Sequence, residues 1–208
     1  MFADRYDAGR QLARALAKYK GKKNVLILAI PRGALQLGGV LHDELKAPLD
    51  IIVTKKIGHP MSEEYAIGAV GPGGEYFVSE GSVDVSPEYI EGERKRLETL
   101  VEEKYSRYRG ERPRPDVRGK TVILVDDGIA TGSTLIAAIH VLRKQKPAKI
   151  VVAVPVAPAD GLARVKAEAD EVVCLLVPED FYAIGQFYDD FPQVDDEEAI
   201  AILKKCQG

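Results

Sequence analysis

The sequence predicts an α/β fold, a parallel β-sheet flanked by helices, and three observations carry that prediction. Continuous apolar runs of strand length recur, such as Val25-Leu26-Ile27-Leu28-Ala29-Ile30 and Val122-Ile123-Leu124-Val125. Such runs suit strands buried on both faces of a parallel sheet. Helical patterns alternate with them, which points to right-handed βαβ units. The third observation is the balance of 46% apolar and 29% charged residues over 208 positions. It fits one globular domain with an insertion or a small cap.

The elements follow in order. Residues 7–20 place Ala8, Leu12, Ala15, Leu16 and Tyr19 on one helical face, and Gly21 ends the helix. The first strand covers 25–30, Pro31-Arg32-Gly33 punctuates it, and 34–45 reads as a helix. A second strand is expected over 49–54. After it, Lys55-Lys56-Ile57-Gly58-His59-Pro60 reads as a basic, mobile loop. The glycines between 67 and 85 suggest a hairpin or irregular excursion. Ser86-Pro87-Glu88 starts a helix, with a capping Ser and Pro at the first helical position. Its thin apolar stripe (Ile90, Leu97, Val101, Tyr108) predicts a helix lying on the surface. Beyond Arg112-Pro113-Arg114-Pro115 the α/β rhythm resumes, with strands at 121–125, 149–154 and 171–177 and helices near 133–145 and 158–168. An aromatic, acidic stretch at 180–196 precedes a short helix over 197–205.

Charge and composition exclude several classes. With 29 basic against 32 acidic residues, net −3, the chain lacks the surplus that phosphate neutralisation on nucleic acid requires. No apolar run reaches membrane-spanning length and the first residues are too charged for a signal peptide, so a cytoplasmic protein is expected. Cys174 and Cys206 show no metal or redox spacing, and Cys174 reads as core. His42 reads as structural; His59 and His140 receive no role.

The chemistry concentrates in Val122-Ile123-Leu124-Val125-Asp126-Asp127-Gly128-Ile129-Ala130-Thr131-Gly132-Ser133-Thr134. A buried strand ends on two carboxylates, at the edge where open α/β sheets bind ligands. A turn of small residues follows, and a helix opens on Thr-Gly-Ser-Thr. The free N–H groups of a helix start, together with its dipole, bind phosphate. Gly132 permits close approach, and the hydroxyls of Thr131, Ser133 and Thr134 add donors. Carboxylates accept hydrogen bonds from a diol and hold Mg²⁺ through water. A phosphate cradle beside two carboxylates therefore suits a ribose 5-phosphate. The alternative is an acid pair that merely caps the next helix. No Lys precedes Ser133 as a Walker loop requires, and no Gly-x-Gly-x-x-Gly opens the first βα unit.

The same stretch resembles the 5-phosphoribosyl-1-pyrophosphate (PRPP) signature of the type I phosphoribosyltransferases, and residues 25–60 and 118–190 resemble their Rossmann-like core. The resemblance implies that Asp126 and Asp127 contact the ribose hydroxyls and Mg²⁺, and that Gly128 and Ala130 to Thr134 wrap the 5-phosphate. It makes Pro31-Arg32-Gly33 the pyrophosphate turn, with Arg32 as donor and Gly33 allowing backbone approach. Lys55 and Lys56 become candidates for stabilising the departing pyrophosphate, Lys55 preferred; the alternative for both is a solvated basic turn. The segment 178–196 resembles the hood of hypoxanthine-type members. By that match Phe181, with Tyr182, is a base-binding candidate and Asp189, four residues past Gly185, a metal candidate; the alternative is an aromatic cluster packed on the core. Members acting on 6-oxopurines carry Asp where this chain has Ala130, which speaks against guanine or hypoxanthine.

The implied reaction displaces pyrophosphate from C1 of PRPP by a ring nitrogen of a small-molecule acceptor. Orientation and electrostatics carry it, with Asp126, Asp127, Arg32 and Lys55 as the catalytic set. An insertion at 57–117 is expected to supply a lid against hydrolysis, and a homodimer or higher oligomer is expected. A rival reading is a non-catalytic PRPP-sensing regulator. PRPP synthesis fits less well, since no ATP site is evident.

Overall fold

The computed structural model describes residues 1–79, 82 and 84–207, with 63 and 64 by backbone alone. A five-stranded parallel sheet forms its centre: β1 (Val25–Ala29), β2 (Leu49–Ile51), β6 (Thr121–Val125), β7 (Lys149–Val156) and β8 (Glu171–Leu176). The spatial order is β2-β1-β6-β7-β8. Chain order therefore reverses between β1 and β6, whose residues pair from Val25↔Thr121 to Ala29↔Val125. Crossovers that leave this point in opposite directions open a crevice at the carboxyl ends of these two strands, where ligands bind in open sheets. Every residue of β1 and β6 is buried, as their unbroken apolar character dictates.

Helices cover both faces. α1 (Arg5–Ala15) and α2 (Ala34–Leu45) lie on one side with α6 (Asp196–Lys205), and their apolar faces join Ile27, Ile123 and Val151 in one core. α4 (Ser133–Lys144) and α5 (Ala159–Glu168) close the other side over Leu26, Leu124 and Val152. α1 begins where Asp4 accepts the Asp7 N–H at 2.6 Å. It ends at Ala15, earlier than expected, and its buried face takes in Ala8, Leu12 and Ala13, leaving Ala15 exposed. Cys174, expected in the core, is only half-buried because β8 is an edge strand.

Between β2 and β6 the chain builds a second layer, and here the basic-loop expectation needs correction. Residues 55–59 form strand β3 (Lys55–His59), antiparallel to β4 (Ser62–Val70), which pairs in turn with β5 (Tyr76–Val78). Lys55, Lys56, Gly58 and His59 disguise the strand, but Ile57 is fully buried against Ile67, Val70, Val85 and Leu97. One inward side chain per pleat is enough to fix register when the partner strand supplies the rest. Strand β2 correspondingly stops at Ile51 rather than 54. The hairpin expected over 67–85 is present in β4 and β5; Glu80, Gly81 and Val83 lie outside the described residues.

Helix α3 (Pro87–Arg109) starts on Ser86, which accepts the Tyr89 N–H at 3.2 Å. Its stripe buries Leu97, Val101, Tyr105 and Tyr108. Arg109 at its end donates to Asp50 on β2 at 2.7 Å, both side chains only 5% exposed. That bond ties the inserted layer to the parallel sheet. The stretch after β8 is laced to the N-terminus: Phe2 N–H donates to Phe187 O, and Asp189 N–H to Phe2 O, both at 2.9 Å.

Candidate functional site

The turn after β1 and the acid pair after β6 meet at the crevice. The Pro31–Arg32 peptide is cis. Gly33 follows, and a Cβ there would collide with Asp127 Oδ2 and stand 2.8 Å from Arg5 Nε. Only glycine lets the two strand ends approach this closely.

Arg5 is the residue that sequence reasoning missed at this point. Its guanidinium is 5% exposed and donates from Nε to Asp127 Oδ2 at 3.0 Å. It also donates from Nη1 to Pro192 O at 2.8 Å and stacks 3.6 Å from the Phe191 ring centroid. A faint signal existed, since an arginine in the first turn of a helix opposes the dipole and needs a compensating partner. Tyr188 was also missed. It is buried and donates to the Asp127 carbonyl at 2.7 Å, and burial followed by the Asp127 charge pushes its phenol far up.

The two aspartates differ. Asp127 has the Arg5 cation; Asp126 has the Asp127 N–H, which donates to Oδ1 at 2.9 Å. Burial, and next the neighbouring Asp127 charge, raise the Asp126 carboxyl well above the usual carboxylate range. Paired carboxylates with one countercharge form an acceptor-rich corner that takes hydroxyl donors or a hard cation. Oxygen donors of this kind fit Mg²⁺. Among the described residues no three His, Cys, Asp or Glu side chains gather as a metal cage. Asp189 is exposed, its backbone spent on Phe2.

Residues 128–135 with Asp126 and Ile184 line a cavity of 140 Å³. Gly132 has φ +80° and caps α4 without any side-chain hydrogen bond. A Cβ at Gly132 would stand 2.7 Å from Val165 Cγ2, so both conformation and space require glycine. Thr131, Ser133 and Thr134 are exposed around the opening, with the Thr131 and Ser133 hydroxyls 3.1 Å apart; Ala130 is exposed beside them. Ile184 comes from the hood, and only the tertiary fold brings it here.

A larger cleft of 740 Å³ is lined by Arg5 and Gly33, which lie against Asp127. Arg5, Pro31, Arg32, Gly33, Lys104 and Asp196 are among its lining residues, with Leu100, Glu103 and Arg107 from α3. Arg32 and Arg107 flank Asp196, at 3.9 and 2.8 Å, and Tyr108 donates to Asp196 at 2.5 Å. The Tyr108 hydrogen bond is the main reason the Asp196 carboxyl lies below its ordinary value. Lys55 and Lys56, neighbours on β3, are both exposed, and alternation sends them to opposite faces. Lys55 is the one whose charge acts on Lys104 at the cleft.

The hood aromatics turn inward for the most part. Phe187 and Tyr188 are buried, and Phe181 stacks on Phe187 at 5.5 Å. Tyr182 is 87% exposed. Neither Phe181 nor Tyr182 lines either cavity.

This five-stranded parallel sheet flanked by helices has the type I phosphoribosyltransferase fold. The chain belongs to the phosphoribosyl transferase domain family, whose pattern matches residues 3–192. Two sequences named "Putative phosphoribosyl transferase", from the CDC 1551 and H37Rv strains of Mycobacterium tuberculosis, are each 41% identical over 210 residues. They align with 99% of this chain, which spans about half, 47%, of their length. The crystal structure of TT1426 from Thermus thermophilus superposes with a TM-score of 0.92 at 40% identity, covering 100% of this chain and 99% of that one. The purine phosphoribosyltransferase of Pyrococcus horikoshii shares the fold at 18% identity, with a TM-score of 0.50 over 92% of this chain and 93% of that one.

Proposed function

We propose that this chain transfers the 5-phosphoribosyl group of PRPP to a nitrogenous-base acceptor and releases pyrophosphate. The observation that carries this reading is the order of three features along the β1/β6 crevice. An uncharged phosphate cradle lies at 128–135, the Asp126–Asp127 pair stands in the middle, and a cleft with four basic side chains against two acidic ones opens beyond Gly33. PRPP has the same order: a 5-phosphate, a ribose diol and a diphosphate.

The amides at Gly132 to Thr134 would hold the 5-phosphate through the α4 dipole. Asp126 and Asp127 would accept the ribose hydroxyls, and Arg5 would keep Asp127 aimed while preventing two adjacent charges from standing uncompensated. The C1–O bond to pyrophosphate breaks, the acceptor nitrogen bonds to C1, and its proton leaves to solvent. Arg32 and Lys55 would stabilise the charge gathering on pyrophosphate. Asp126 and Asp127 would hold Mg²⁺ through water, and the bound ion would supply charge neutralisation for the polyanionic substrate. The inserted layer at 57–117 would serve as the cover that keeps water from C1. Ala130, at the edge of the cradle, favours an acceptor other than a 6-oxopurine.

The reading is tested by pyrophosphate release from PRPP and Mg²⁺ with adenine, guanine, hypoxanthine, xanthine, uracil and orotate in turn. Release that depends on one base identifies the acceptor. Tight PRPP binding with no release for any base would replace transfer with sensing. Asp127→Asn should weaken PRPP binding by about 1.5–3 kcal/mol, the worth of a hydrogen bond to a charged group. The fold should persist, since the amide oxygen still accepts from Arg5; unchanged affinity by calorimetry would count against the site.

A further inference from the structure

The cleft beyond Gly33 has a wall that the parallel core does not provide. Lys104 lies on α3, three residues after Val101 and four before Tyr108, so it occupies a position in the helix's buried stripe. It is half-buried and lines the cleft with Arg32 and Arg107. Among the described residues it makes no hydrogen bond and no ion pair within 4.0 Å. Asp196 attracts it, but Asp196 already pairs with Arg107 and accepts from Tyr108. Burial foremost, then the nearby Lys55 charge, with Arg32 adding to it, lower its affinity for a proton. A half-buried cation among like charges is unfavourable unless an anion completes the arrangement. Glu103, the remaining acid of the lining, is exposed and makes no ion pair among the described residues.

We propose that Lys104, carried by the helix inserted between β2 and β6, binds the diphosphate of PRPP across the cleft from the Pro31–Gly33 turn. The proposal rests on the phosphoribosyl-transfer reading above and adds a diphosphate contact from outside the core sheet. Asp196 has a supporting part: it holds Arg32 of the turn and Arg107 of α3 to one carboxylate, which keeps the two walls in register. A diphosphate entering between them meets Arg32 on one side and Lys104 on the other, and relieves the repulsion that both feel.

The test is calorimetric titration of the wild type, Lys104→Gln and Lys104→Arg with three ligands: PRPP with Mg²⁺, inorganic pyrophosphate with Mg²⁺, and ribose 5-phosphate. The glutamine variant should bind PRPP and pyrophosphate about tenfold or more weakly, the effect of one charge-assisted contact. Its ribose 5-phosphate affinity should be unchanged, its melting temperature should equal or exceed the wild type's, and arginine should restore much of the loss. Unchanged PRPP affinity in the glutamine variant overturns the proposal. So does an equal loss for all three ligands with a lower melting temperature, which would make Lys104 a packing residue. Should the wild type bind pyrophosphate but not ribose 5-phosphate, the transfer reading fails, and the pyrophosphate comparison still decides Lys104. A wild type that binds neither PRPP nor pyrophosphate sinks both.

Discussion

The two cavities at the carboxyl edge of the sheet are made of different materials. The 140 Å³ cradle is almost wholly one contiguous run, 128–135, and offers backbone N–H groups at a helix start. The 740 Å³ cleft is assembled from α1, the β1 turn, α3 and residues 193–196, and offers charged side chains. A backbone cradle is fixed by the fold and needs no side-chain ordering when its anion arrives. A cleft of cations stores mutual repulsion, so it gains from the anion partly by relief, as Lys104 illustrates. On the proposed reading, the first arrangement would select a monophosphate by geometry and the second a polyanion by charge.

The sharpest way to break this comparison is Gly132→Val. The residue sits at φ +80° and its new side chain would press on Val165, so the first turn of α4 must shift. Overpacking of this kind costs about 1–3 kcal/mol, and ribose 5-phosphate affinity should fall up to about a hundredfold. Pyrophosphate affinity should survive. A variant that loses both ligands together would mean that the two cavities are one cooperative site, and the division drawn above would be wrong.

Asp126 stands between the cavities and predicts a smaller, pH-dependent effect. Its carboxyl is raised in the folded state, so folding favours its protonated form. The stability it contributes is whole below the unfolded carboxylate pKa and is lost as pH rises through the higher folded value. Asp126→Asn removes that loss. At pH 8 the variant should melt above the wild type. The gain should vanish near pH 4, while PRPP binding is weakened. A melting temperature that falls at pH 8 would show that the Asp126 charge supports the fold, contrary to its burial beside Asp127.

The contrast between the cavities also explains what could be read before the fold was known. The cradle and acid pair are local: a strand, two acids, a small-residue turn and a helix start sit in thirteen consecutive positions, and each carries its own physical meaning. The parallel sheet was legible for the same reason, because strands buried on both faces are apolar throughout. Lys55–His59 was misread since a single inward residue, Ile57, carries the strand while its neighbours look like a loop. Arg5 and Tyr188 reach Asp127 from opposite ends of the chain, and no local pattern announces such a meeting. Lys104 did leave a trace: it interrupts the apolar stripe between Val101 and Tyr108, and a charge on a buried stripe asks for a partner.

The smallest predicted effect concerns the hood. Phe181 packs on Phe187, and Tyr182 stands 87% exposed outside both cavities. Tyr182→Ala should therefore change stability by less than about 0.5 kcal/mol, as exposed substitutions away from special features do. It should leave PRPP and pyrophosphate affinities untouched. If Tyr182 folds over the acceptor during turnover, the variant's KM for the acceptor rises while its KM for PRPP does not. If neither constant moves, the acceptor is held by Ile184 and the cradle rim instead, since Ile184 is the hood residue already facing the 128–135 cavity. Steady-state kinetics with both substrates varied separates these outcomes, and a shift in the PRPP constant alone would contradict the placement of Tyr182 outside the phosphate sites.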